Sequence, residues 1–198
     1  MPQNSGAAWT HKFPTSKDVS DLEPTFRARV VHFLDALADA DVEVTVTATQ
    51  RPRQRAYLMH YAWRIVHGQI TPDKVPDFEP AVGEESVDIQ WVHVDAQNRP
   101  DSARSVAAAH AMVHAFSIGG LQVAPSLTSL HIAGKAIDMV LSWDDDISVK
   151  DARGRSIEIR STPRSGTNRD LIRVGATYGV HHLHAVHKDP PHWSVNGH

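Results

Sequence analysis

TSLHIAGKAIDMVL, residues Thr128–Leu141, sets His131 seven positions before Asp138 in an otherwise apolar run, with Gly134 and Ala136 between them. From Lys135 onward the alternation has period two. Ala136, Asp138 and Val140 therefore share one face of a strand, and Ile137, Met139 and Leu141 share the other. A half-buried strand has little use for a carboxylate unless something neutralises it. Gly134 permits a sharp bend that brings His131 round to the side of Asp138, and Ala136 leaves room between them. One imidazole, one carboxylate and a space make half of a metal site.

The rest of the composition narrows what such a site can be. The chain has 198 residues, 41% apolar and 22% charged, an ordinary balance for one globular domain with a core of its own. A formal net charge of -3 gives no general attraction for nucleic acid or anionic membranes. The basic run RPRQR at Arg51–Arg55 is too short to change that. Cysteine is absent, which excludes disulfides, a thiol nucleophile and thiolate metal ligands. Any zinc must then be held by imidazole and carboxylate. Histidine is abundant, with 14 copies, six of them from His181 to His198. No window approaches the roughly 18 apolar residues that span a bilayer, and the first residues lack the pattern of a signal peptide. The expectation is a monomer made in the cytoplasm.

Periodicity predicts an α+β fold with a small antiparallel sheet and about four helices. Residues 1–20 read as a flexible N-terminal arm and 21–198 as a single domain. Helices are expected near 21–40, over the stretch from Pro52 to Gly68, over 102–117 and over 168–179. Strands are expected at 42–49 and 135–142, with a hairpin around Ala152–Gly154. Residues 69–101, rich in Pro, Asp and Glu, read as an insertion-like excursion holding one short strand.

A catalytic zinc takes three protein ligands and keeps a fourth position open. The best third ligand is His192 in HKDPPHWSV, where two prolines hold the chain extended and Ser194 shares the histidine's face. Asp189, three residues earlier, reaches the place where a general base for water must stand.

These residues carry a family resemblance. SLHIAGKAID resembles the S-x-H-x-x-G-x-A-x-D pattern of zinc peptidases that include D-Ala-D-Ala carboxypeptidases and phage L-alanyl-D-glutamate endopeptidases, matching at Ser129, His131, Gly134, Ala136 and Asp138. DPPHW is similar to the second half of that pattern, and TATQRPRQRAYL resembles the stretch where an arginine, here Arg51, faces substrate and a glutamine, here Gln54, follows. The likeness runs from about Val44 to Ser194, with 69–101 unmatched. It implies Zn2+ on His131, Asp138 and His192, Asp189 as base, and Arg51, Gln54 and Ser129 toward substrate. It also implies peptidoglycan stem peptide as the partner, cut by a carboxypeptidase or an endolysin-type endopeptidase released to the cell wall at lysis or exported. One departure is that the family's base is commonly glutamate, one methylene longer than Asp189.

Other readings compete. A zinc-containing binding domain without catalysis would use the same ligands, and a structural virion or secretion-associated protein would share only the scaffold. Arg51 would serve equally as a solvated helix-start residue, and Ser129 as a turn cap. His181, His182, His184 and His187 read as a polar segment rather than a second metal site. Asp144–Asp146 lack the glycine and later glutamate of a calcium loop, and Glu84–Glu85 are loop neighbours whose side chains diverge.

Overall fold

A computed structural model describes residues 2–184 and 189–198, so His187 lies outside the described residues. In chain order the strands are β1 (Gln3–Asn4), β2 (Glu43–Ala48), β3 (Ile89–Gln90), β4 (Ala136–Ser142), β5 (Ile147–Lys150), β6 (Ser156–Ile159), β7 (His181–His182) and β8 (His192–Ser194). The α-helices are α1 (Pro24–Ala38), α2 (Arg53–Val66), α3 (Ser102–Ala115) and α4 (Arg169–Thr177). The fold is α+β, as the periodicity predicts. Among the described residues no helix is long and apolar enough to cross a membrane. Contacts divide the chain into two compact units.

The first unit takes the residues up to Pro14 together with Pro52–Thr128. Helices α2 and α3 pack on each other, and Leu58, Ala62, Ala109 and Met112 are fully buried between them. One expectation needs correction here. The arm is not loose: Trp9 and Phe13 are only 3% and 7% exposed, and β1 pairs in parallel with β3. Two aromatic side chains in a polar stretch bury enough apolar area, at about 25 cal/mol per Å2, to fix the segment. Within 69–101 the expected short strand is β3, Val87 and Trp91 join this core, and the Trp91 indole donates to the Tyr57 hydroxyl at 3.1 Å.

The second unit, Thr15–Arg51 with Ser129–His198, carries the sheet, in the order β2-β4-β8-β7 and antiparallel throughout. Helix α1 begins at Pro24, with the Glu23 carboxylate accepting from Phe26 N at 3.0 Å, and lays Phe26, Val30, Phe33 and Leu37 against the sheet. From β4 the core receives Ile137, Met139 and Leu141, each at most 2% exposed, while Val140 on the opposite face is 54% exposed. The predicted alternation therefore holds. Helix α4 comes down on Trp193 at Gly175, where an added Cβ would lie 2.7 Å from the indole ring. Strands β5 and β6 form the expected hairpin.

Gly134 makes the bend before β4. Its φ is +64°, and an added Cβ would lie 2.8 Å from the backbone nitrogen of Glu23. Gly134→Ala is therefore expected to destabilise the chain by about 1–3 kcal/mol. That corresponds to a Tm lower by about 2–12 °C in thermal unfolding. An unchanged Tm would show that the bend tolerates a side chain.

Candidate metal centre

Asp138 and His192 are brought together by strand register, because they are directly opposed Cα partners on β4 and β8. Cross-strand neighbours place their Cβ atoms about 4.5–5.5 Å apart, within reach of a shared ion. His131 arrives from the turn before β4. There Ile132 N donates to Ser129 O at 2.9 Å, Lys135 N donates to Leu130 O at 2.9 Å, and the Ser129 hydroxyl accepts from His131 N at 3.3 Å. Arg51 N donates to His131 O at 3.0 Å, which ties this turn to the end of the β2 segment.

Three ligating atoms converge. His131 Nε2 lies 3.2 Å from Asp138 Oδ1, His192 Nδ1 lies 3.0 Å from the same oxygen, and the two nitrogens are 3.3 Å apart. Ligand atoms about 2.0–2.1 Å from a tetrahedral ion stand about 3.3–3.4 Å from one another, so the triangle has nearly the edges of one tetrahedral face. Both histidines are buried and Asp138 is half-buried.

The outer nitrogens decide what the triangle needs. His131 Nδ1 lies 2.6 Å from Thr49 O, and His192 Nε2 lies 3.2 Å from His198 O. Thr49 O and His198 O can only accept, so a neutral ring that gives its single N–H to that outer oxygen turns a lone pair inward. Two lone pairs and a carboxylate oxygen then face one another within 3.3 Å, an arrangement that calls for a cation. The group is thus fitted to hold a metal ion.

Charge in the site follows the same logic. Burial pushes the Asp138 carboxyl up, but hydrogen bonds and charge from His131 and His192 outweigh it and hold the group well below the usual carboxylate range. For His192, burial pushes the other way, yet the bond to Asp138 raises it above the ordinary imidazole value. Asp189 is exposed as a residue, but partial burial of its carboxyl, and then the negative charge of Asp138, raise it. Arg51 is lowered by burial against the opposing pull of Asp138 and Asp189, and a guanidinium lowered from so high a value stays charged. Its Nε is buried without a hydrogen-bond partner among the described residues. Arg51 and Asp189 therefore sit within electrostatic reach of the triangle. Gln54 belongs to the first unit, where it is buried and its amide donates to Glu85 O at 2.9 Å.

A raised folded pKa for His192 gives metal-free protein a stabilisation that is complete below the unfolded pKa and is lost as pH rises through the folded one. Metal needs that proton gone. The gap in Tm between metal-loaded and metal-free protein is thus expected to widen from mildly acidic to mildly alkaline pH. Binding should tighten by about tenfold per pH unit below the His192 pKa. A gap independent of pH would remove His192 from the ligands.

Of the C-terminal histidines outside the triangle, His182 turns to the backbone. His182 is buried, with Nε2 2.7 Å from Pro190 O and Nδ1 3.0 Å from Leu183 O, and the exposed His184 stacks edge-on with His198. Among the described residues only His131, Asp138 and His192 form a group able to hold an ion. Sequence reasoning missed the main-chain oxygens of Thr49 and His198, which no side-chain pattern announces. No family model, curated protein or solved structure matches the chain.

Proposed function

We propose that this chain is a zinc-dependent peptidase acting on the stem peptide of peptidoglycan. The single observation that carries the reading is the inward-facing triangle of His131 Nε2, Asp138 Oδ1 and His192 Nδ1, with each outer histidine nitrogen facing a main-chain oxygen. Two imidazoles and one carboxylate, without sulfur, suit zinc. Magnesium and calcium prefer an all-oxygen shell. Three protein ligands leave the open position of a catalytic site.

When bound, zinc supplies a Lewis acid that lowers the pKa of water toward neutrality and polarises a carbonyl. Asp189 takes the proton of the attacking water and returns it to the leaving amine, a task that its upward shift suits. Arg51, charged and with an Nε that has no hydrogen-bond partner among the described residues, holds a substrate carboxylate or the oxyanion through its planar fork. The Ser129 hydroxyl accepts from His131 N and keeps its own proton to offer substrate. Gln54, its amide committed to Glu85, takes no part in this proposal. The choice of a cell-wall peptide rests on the resemblance of Ser129–Asp138 and Asp189–Trp193 to the D-Ala-D-Ala and L-alanyl-D-glutamate peptidases.

The test is mass spectrometry of muropeptides after purified peptidoglycan is incubated with zinc-loaded protein. New ends at L-Ala–D-Glu, or loss of a terminal D-Ala, are expected and would name the bond. An unchanged profile with zinc in place would favour a binding domain that keeps the metal without the chemistry, the reading that the short Asp189 side chain favours.

A further inference from the structure

Beyond the three ligands, Ser194 stands on the same face of β8 as His192, two residues on, and is completely buried. Its hydroxyl accepts from Gly197 N at 3.0 Å and from His198 N at 3.2 Å, and it lies 3.1 Å from His198 O, to which it donates. On its other side the turn is tied by His184 N, which donates to Gly197 O at 3.0 Å. The chain after β8 is thereby folded back so that His198 O reaches His192 Nε2.

The consequence is a competition for one proton. A neutral imidazole carries a single N–H. Asp138 Oδ1, 3.0 Å from His192 Nδ1, would draw that proton inward, which satisfies the carboxylate and blocks the lone pair a metal needs. His198 O, which can only accept, draws it outward to Nε2. Thr49 does the same for His131, from a shorter 2.6 Å and from a backbone tied to Ser16. For His192 the outward pull depends on the 195–198 turn.

We propose that Ser194 is a positioning residue: by holding the 195–198 turn it fixes the His192 tautomer that offers Nδ1 to a metal. The inference rests on the metal reading of the triangle, and the experiment separates the two. Zinc affinity is measured for the parent, Ser194→Ala and Ser194→Thr by competition with a chromophoric chelator. The His192 ring tautomer is read from nitrogen–proton correlations in metal-free protein at alkaline pH, where the ring is neutral. Ser194→Ala is expected to bind zinc about 10–100-fold more weakly, as losses behind a ligand do. Its ring should move from the Nε2–H toward the Nδ1–H form, and Ser194→Thr should restore both. Equal affinity and an unchanged tautomer in Ser194→Ala would overturn the proposal. If the variants fail to fold, the parent decides alone: a dominant Nδ1–H ring overturns the proposal and a dominant Nε2–H ring supports it. A parent that binds no zinc, yet shows an Nε2–H ring that Ser194→Ala loses, would sink the metal reading and leave the role of the turn standing.

Discussion

Asp138→Ala is expected to abolish stable zinc binding and leave the fold intact. Its Oδ1 is the vertex shared by both imidazoles, and no other carboxylate joins the group among the described residues. Loss of a group that merely orients a ligand already costs about 10–100-fold in affinity, so loss of the ligand itself should exceed that range. The core face of β4 is untouched, since Ile137 and Met139 pack on the other side. Chelator competition measures the affinity, and a value within a few-fold of the parent would remove Asp138 from the ligands. A second readout follows from charge. The Asp138 pKa is depressed in the folded protein, so its stabilisation is present above the ordinary carboxylate range and lost as pH falls through the depressed value. The metal-free variant should therefore lose less stability in acid than the metal-free parent.

Asp189→Ala is the complementary experiment, expected to keep zinc within a few-fold and to lower kcat by about 100- to 10,000-fold, the usual worth of a general base. The pH profile should change with it, because as the proposed base the raised carboxyl of Asp189 would set the acid limb of the parent's rate. Asp189→Glu adds the methylene that the resembling family carries and should retain turnover. Full turnover in Asp189→Ala would take the base assignment away from this residue while leaving the metal in place.

The ligand triangle was legible in the sequence because its parts obey simple periodicities. Period two after Lys135 put Asp138 opposite the core residues, and the glycine at 134 announced the bend that delivers His131. The prolines at 190 and 191 marked the extended approach to His192, which strand register then set against Asp138. The division into two units was not legible. It arises from aromatic packing of Trp9, Tyr57, Trp91 and Phe116, which come from separated parts of the chain. Single-residue periodicity carries no information about such long-range contacts. The parallel pairing of β1 with β3 escaped for the same reason, each strand being two residues long. The main-chain oxygens of Thr49 and His198 escaped because every residue carries such an acceptor, and only the fold decides which of them meet a histidine.

The most direct test of the metal centre is X-ray absorption at the zinc edge of protein loaded with one equivalent of zinc. The triangle predicts one tightly held ion with a four-coordinate nitrogen and oxygen shell at about 2.0–2.1 Å, the multiple-scattering signature of two imidazoles, and no sulfur. A six-coordinate, oxygen-only shell without imidazole scattering would contradict it, as would an ion that washes away on dialysis.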